Sequence, residues 1–176
     1  MKRFARRPFG LSILTAVLVL TACIVSGQFV VVIDWGGFAS TGDHLTTKTV
    51  DVTDNPTWKD HEGDIQDIID VKFKVEISNL ESDSAKGEVY VSADSLATVA
   101  LVRSSATRIL HGISIGPGET RKIGFDESAS YRENLDALLS LVKVGKFYLY
   151  GIAENTPFSI EIKTGSQLLV TFSAGK

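Results

Sequence analysis

Four apolar residues at every second position, Val71, Phe73, Val75 and Ile77, alternate with Lys72, Lys74, Glu76 and Ser78. A strand points successive side chains to opposite faces, whereas a helix would scatter this set around its circumference. The stretch therefore reads as a β-strand with one dry and one wet face. The dry face needs a second layer to cover it.

The same reasoning extends along most of the chain. Residues 28–35 contain the β-branched run Val30 to Ile33, which favours a strand. Residues 45–52 alternate loosely, and 88–92 return after a polar loop at 81–84. The segment 108–115 is extended, Gly116-Pro117-Gly118 forces a turn, and 120–125 comes back. Three more strands are expected over 146–153, 158–163 and 167–173, the last two joined through Thr164-Gly165-Ser166. Within 146–153, Tyr148 and Tyr150 share one face and Phe147 and Leu149 the other, so both faces are at least partly buried.

Helical signals are few. Asn55 is a good N-cap and Pro56 suits the first helical position, which predicts a short helix over 55–61 that carries Trp58 to the core. Ser130 and Glu133 have the spacing of a capping box, and Leu135, Leu138, Leu139 and Val142 make one apolar stripe ending before Gly145. That predicts a helix over 130–144. Residues 93–106 fit a helical face as well as a strand. Together these signals predict an all-β protein: an antiparallel Ig-like sandwich of about 7–9 short strands, with the helix at about 130–144 crossing one open end.

The N-terminus has a different character. Lys2, Arg3, Arg6 and Arg7 open the chain without an acidic residue, and 10–22 then run apolar to Leu20-Thr21-Ala22-Cys23. A basic start, an apolar core and small residues at its end describe a secretory signal, so 1–22 read as a signal peptide or membrane-anchor helix and 23–176 as one domain. The ending at the single cysteine resembles the lipobox of bacterial lipoproteins. That resemblance implies that the Cys23 thiol takes a diacylglyceryl group and becomes the new N-terminus. Several acyl chains together hold a protein firmly on a bilayer. Arg6-Arg7-Pro8-Phe9 also resembles a twin-arginine export signal. Two alternatives remain. One is an uncleaved transmembrane helix over about 11–33, since apolar character resumes with Ile24, Val25 and Phe29. The other is cleavage to a soluble product. The domain leaves the cytoplasm under all three. The lipobox, the strand count and the corner Pro117-Gly118-Glu119-Thr120 together resemble bacterial surface lipoproteins with a single Ig-like domain, a resemblance that carries no activity with it.

Charge narrows the partners. The chain carries 18 Lys and Arg against 21 Asp and Glu. Setting aside the four basic residues at 2, 3, 6 and 7 leaves 14 against 21, a net charge of −7 for the exported part. Nucleic-acid binders need a basic face, so nucleic acid is excluded as a partner. With Cys23 lipidated, no disulfide can form, and stability rests on packing or on bound ions.

Candidate chemistry is sparse. Asp51, Asp54, Asp60, Glu62, Asp64, Asp67 and Asp70 form an acidic run, and Asp60, Glu62, Asp64 and Asp67 around Gly63 offer oxygen ligands for calcium. The spacing is not that of an EF-hand, and a solvated acidic face explains the run as well. Were the segment helical, Asp60, Asp64 and Asp67 would share a face. His44, His61 and His111 have no metal-ligand spacing, although His44 and His61 could meet through folding and bind zinc. There is no Gly-x-Ser-x-Gly elbow, and the Gly116-Pro117-Gly118 turn is too short and too proline-bound to cradle phosphate. Paired carboxylates for glycoside hydrolysis stay open. Trp35, Trp58, Tyr131, Tyr148 and Tyr150 offer a sugar-stacking platform or, on the plainer view, core. No cofactor is expected. The sequence thus predicts a non-catalytic binding or structural domain of the bacterial cell envelope, held on the membrane and facing another envelope protein or a polysaccharide. A carbohydrate-binding module and a small envelope hydrolase are the alternatives.

Overall fold

The structure, a computed structural model, describes residues 27–34, 37–41, 45–154 and 159–175. Residues 1–22, expected to be a signal peptide or anchor helix, lie outside them, as do Cys23, Trp35 and His44. In chain order the strands are β1 (Gly27–Asp34), β2 (Phe38–Thr41), β3 (Leu45–Asp51), β4 (Ile65–Asn79), β5 (Ala85–Ser92), β6 (Thr107–Ile115), β7 (Thr120–Ile123), β8 (Lys146–Ala153), β9 (Ser159–Ile162) and β10 (Gln167–Ala174). Three short helices interrupt them: α1 (Pro56–His61), α2 (Val99–Ser105) and α3 (Leu135–Val144). Single 3-10 turns follow α1 (Glu62–Asp64) and precede α3 (Glu127–Tyr131).

Two antiparallel sheets face each other, as expected of a β-sandwich. One runs β1-β10-β4-β9-β2, with β7 on the other flank of β4, and the second runs β3-β8-β5-β6. The first is built around β4. Its N-terminal half pairs with β10, as in Val71↔Val170 and Phe73↔Leu168, and its C-terminal half lies between β9 and β7. Fully buried Val71 and Phe73 point inward with Val170, Leu168 and Phe172. The alternation that opens the sequence argument is therefore real. The strand itself starts earlier than expected, at Ile65 rather than Val71, with the alternation broken by a register shift between Ile68 and Asp70. Pairing with β10 carries Asp67 and Asp70 into the strand despite their poor β-propensity.

Two other expectations are corrected. Gly27 to Ile33 are strand, paired from Gly27↔Ala174 to Ile33↔Leu168. A transmembrane helix over 11–33 therefore cannot include its last seven positions. Among the described residues no helix is long and apolar enough to cross a membrane. The helix expected over 130–144 begins only at Leu135. Its expected capping box does not form, because Glu133 pairs with Arg108 while its N–H donates to the Ile109 carbonyl at 2.9 Å. Asn134 caps from the left-handed region (φ 49°), and its side-chain amide donates to the Arg108 carbonyl at 2.9 Å. The apolar stripe holds: Leu138 and Val142 are buried, and α3 rests on β4 of one sheet and on β6 and β8 of the other.

Candidate functional site

The interior is not one continuous core. A large cluster at the α1 and α3 end contains Val71, Phe73, Phe147, Leu149, Phe172 and Trp58. A smaller one at the opposite end joins Val75, Ile77, Ile115, Ile123 and Ile162. Between them lies an apolar cavity of about 130 Å³. Its floor is β4, through Phe73, Val75 and Ile77, and its roof is the second sheet, through Val89 and Leu149.

The gap has a local cause. Period-2 alternation sends Phe147 and Leu149 inward, and the next two inward positions on β8 are Gly151 and Ala153. Gly87 stands in the same layer on β5, paired with Ala153. Two strands thus lack bulk where β4 presents Val75 and Ile77. A Cβ added at Gly151 would meet only Thr46 Cβ, at 3.9 Å, which is ordinary contact. At roughly 24 cal/mol per Å³, a void of this size forgoes up to about 3 kcal/mol of packing. A cost of that order marks the cavity as the candidate site.

Three ionisable residues border it, Lys48, Lys86 and Glu88, but the Glu88 side chain shares the outer face of β5 with Tyr90, opposite Ile152, and Lys86 alternates to that face with it. Glu88 is fully engaged. Arg108 Nη1 donates to it at 2.6 Å, the Tyr90 hydroxyl at 3.1 Å, and Arg103 Nη2 lies 3.5 Å away. Burial by itself would raise the Glu88 carboxyl, but the hydrogen bonds from Arg108 and Tyr90 and the two arginine charges outweigh it. The group sits below its ordinary value. The Tyr90 hydroxyl is pushed up by its burial and by Glu88, and Arg108 is raised by its bonds to Glu133 and Glu88. His111 Nδ1 lies 3.5 Å from Glu133. Lys48 lies two residues before buried Val50 on β3, so it shares the inward face. It also borders a wider cleft of about 480 Å³ between β1, β3 and the turn before α1. Lys48 makes no ion pair with a described carboxylate.

The acidic run does not converge. Exposed Asp60 lies in the last turn of α1, Glu62 and Asp64 lie on the 3-10 turn, and exposed Asp67 is on β4, so no helical face unites them. Asp51 accepts from Thr53 Oγ1 at 2.6 Å, Asp54 lies 3.9 Å from Lys59, and Asp70 takes Arg132 Nη1 at 2.6 Å. Among the described residues no group of three His, Cys, Asp or Glu could hold a metal ion, which leaves the calcium candidates without a common site. His61 instead stacks on Phe29, with ring centroids 3.8 Å apart.

The aromatic platform disperses as well. Trp58 and Tyr150 are buried. Tyr150 lies on the outer face of its sheet under Val102 of α2, accepts the Leu96 N–H at 2.7 Å and donates to the Asp94 carbonyl at 2.8 Å. Tyr148 packs beside it half-buried, and Tyr131 carries the Arg121 guanidinium over its ring. The cavity was not read from the sequence. Its one trace there was a pair of glycines inside apolar strands, Gly87 and Gly151, a pattern that marks close approach by something other than a side chain.

No protein-family model and no curated protein sequence matches the chain. Among solved structures, a chain from Desmodium yellow mottle tymovirus is 12% identical, with a TM-score of 0.36, over 100% of this chain and 96% of that one. A likeness that loose bears on neither fold relationship nor function.

Proposed function

We propose that this protein is an exported, lipid-anchored, non-catalytic binding domain of the bacterial cell envelope. The observation that carries the binding part is the nature of the concave site. Its walls are hydrocarbon, and the carboxylate of Glu88, the one acidic residue along it, turns to the outer face of the sheet, where two arginines and a tyrosine hold it ionised. A general acid or base needs a group free to exchange its proton near neutral pH, and such a locked carboxylate is poorly suited to that work. A hydrolase reading therefore finds little support, and burial of Trp58 and Tyr150 removes two members of a sugar-stacking face.

The anchoring part rests on Leu20-Thr21-Ala22-Cys23. Strand formation from Gly27 onward favours it over a helical span, because only 11–26 remain for a helix that needs about 20 residues. The test is the intact mass of the chain extracted from bacterial membranes. Loss of 1–22 together with added acyl mass is the expected result, and Cys23→Ser should release the protein from the membrane fraction. An unprocessed chain, or retention unchanged by the substitution, would overturn the lipoprotein reading.

A further inference from the structure

We propose that the inter-sheet cavity binds the hydrocarbon tail of a single-chain fatty carboxylate, with Lys48 receiving its head group. This rests on the binding part of the proposed function and is independent of how the chain is anchored.

Three observations converge on that ligand class. The first is size and lining. A cavity of about 130 Å³ is close to the engineered voids of about 150 Å³, lined by Leu, Ile and Phe, that stay dry and take up small apolar molecules. Water gains nothing there, since Phe73, Val75, Ile77, Leu110, Leu149 and Ile162 offer it no hydrogen bond. The second is the origin of the space. Gly87 and Gly151 lie diagonally across neighbouring strands, opposite Ala153 and Val89, and withhold side chains from the roof, so the void is built into the sheet. The third is the charge at its border. Glu88 turns outward with Tyr90 to Arg108 and Arg103, whereas Lys48 shares the inward face of β3 with Val50 and has no described carboxylate partner. A neutral head would form no ion pair with that ammonium, and a cationic head would repel it. A carboxylate head matches it, and a charge-assisted bond at a half-buried site is a strong one.

The test uses the full-length protein in lipid nanodiscs, with isoleucine methyl groups isotopically labelled and octanoate as the probe. Methyl shifts at Ile77, Ile115 and Ile162 locate the tail in the cavity whatever amount of octanoate partitions into lipid. Saturable shifts at these residues are expected. Gly151→Leu, which places a side chain in the void, should abolish them while leaving the thermal midpoint unchanged or higher, which rules out unfolding as the reason. Lys48→Gln should weaken octanoate about five- to tenfold and leave octanol unaffected. Absence of shifts in the native protein, persistence of full binding in Gly151→Leu, tighter binding of octylamine than octanoate, or an equal effect of Lys48→Gln on octanoate and octanol would each overturn the proposal. None of these outcomes touches the Cys23 result, so failure of the ligand and failure of the anchor are told apart.

Discussion

Glu88 shows how one carboxylate organises a surface. It draws Arg108 from β6, Arg103 from α2 and Tyr90 from its own strand, and Arg108 passes the connection on to Glu133 at the entry to α3. Its folded-state carboxyl lies below the ordinary value despite the opposing effect of burial. The stabilisation is therefore present above the unfolded value, near 4.5, and is lost as pH falls through the lower folded one. Glu88→Gln is expected to cost about 1–2 kcal/mol at pH 7, since it leaves Arg103 unpaired and Arg108 with Glu133 alone, both guanidinium groups being part-exposed. Urea melts of both proteins at pH 7 and pH 3 check this. The difference should shrink at pH 3, and a constant difference would show that the charge is irrelevant. The sequence made some of this residue-level picture legible. Opposite burial of Phe147 and Tyr148 follows from period 2 alone, and Trp58 reaches the core as a short capped helix predicts. Glu133 was misread because local spacing pointed to a capping box, while a guanidinium from a strand 25 residues away in sequence took its carboxylate.

Elements were legible in proportion to how local their cause is. α1 is expected from Asn55-Pro56 and is found, with the Asn55 side chain accepting the Thr57 N–H at 2.9 Å. β8 matches its expected bounds of 146–153 because its alternation is complete. β2 was missed: its four residues have no pattern of their own, and β9 pairs with them as an edge. The ambiguous stretch before β6 resolves into α2, since Val102 has a dry place to go against Tyr150. The stop of α3 was read correctly from Gly145, and its reason is sharper than the sequence suggested. Gly145 adopts φ +98°, its N–H donates to the Val142 carbonyl at 3.0 Å, and an added Cβ would strike Thr53 Cγ2 at 2.5 Å. Gly145→Ala is therefore expected to destabilise by about 1–3 kcal/mol through backbone strain and this clash. At Gly63 an added Cβ meets nothing within 4 Å, so Gly63→Ala serves as the neutral control. Urea midpoints for the two variants decide the matter. Equal midpoints would show that the α3 terminus tolerates a side chain and that the left-handed stop is not needed.

At the scale of the whole molecule, the sandwich has two unlike ends, and a lipid on Cys23, as proposed, would select which one faces the bilayer. Gly27 opens β1 opposite Ala174, and the next residue, Gly175, donates to the Asp64 carbonyl at 3.1 Å. The start of β1, the end of β10, α1 and the 3-10 turn are thus gathered at one end, and Gly27 is only a few residues in sequence from position 23. The far end holds the 81–84 loop and the Gly116-Pro117-Gly118 turn, tied by the Gly118 N–H to the Glu81 carbonyl at 3.1 Å. The cavity lies toward that end, beside Val75, Ile77 and Ile115. β4 connects the ends through 15 residues, which at about 3.3 Å each puts them roughly 50 Å apart if the strand is straight. A lipidated Cys23 would leave the mature protein without a thiol, so a cysteine introduced by substitution can be labelled uniquely. Gly63→Cys marks the near end, where an added Cβ has open space, and Ser82→Cys marks the exposed far loop. With a fluorophore on each in turn and energy-transfer acceptors on the lipid headgroups, transfer should be strong from position 63 and weak from 82. A separation of tens of ångströms makes the two readings easy to distinguish. Equal transfer would mean that the domain lies flat on the bilayer, with the cavity beside the lipid surface rather than held away from it. A ligand would then enter from the membrane, whereas the upright arrangement has the cavity take its carboxylate from the aqueous side.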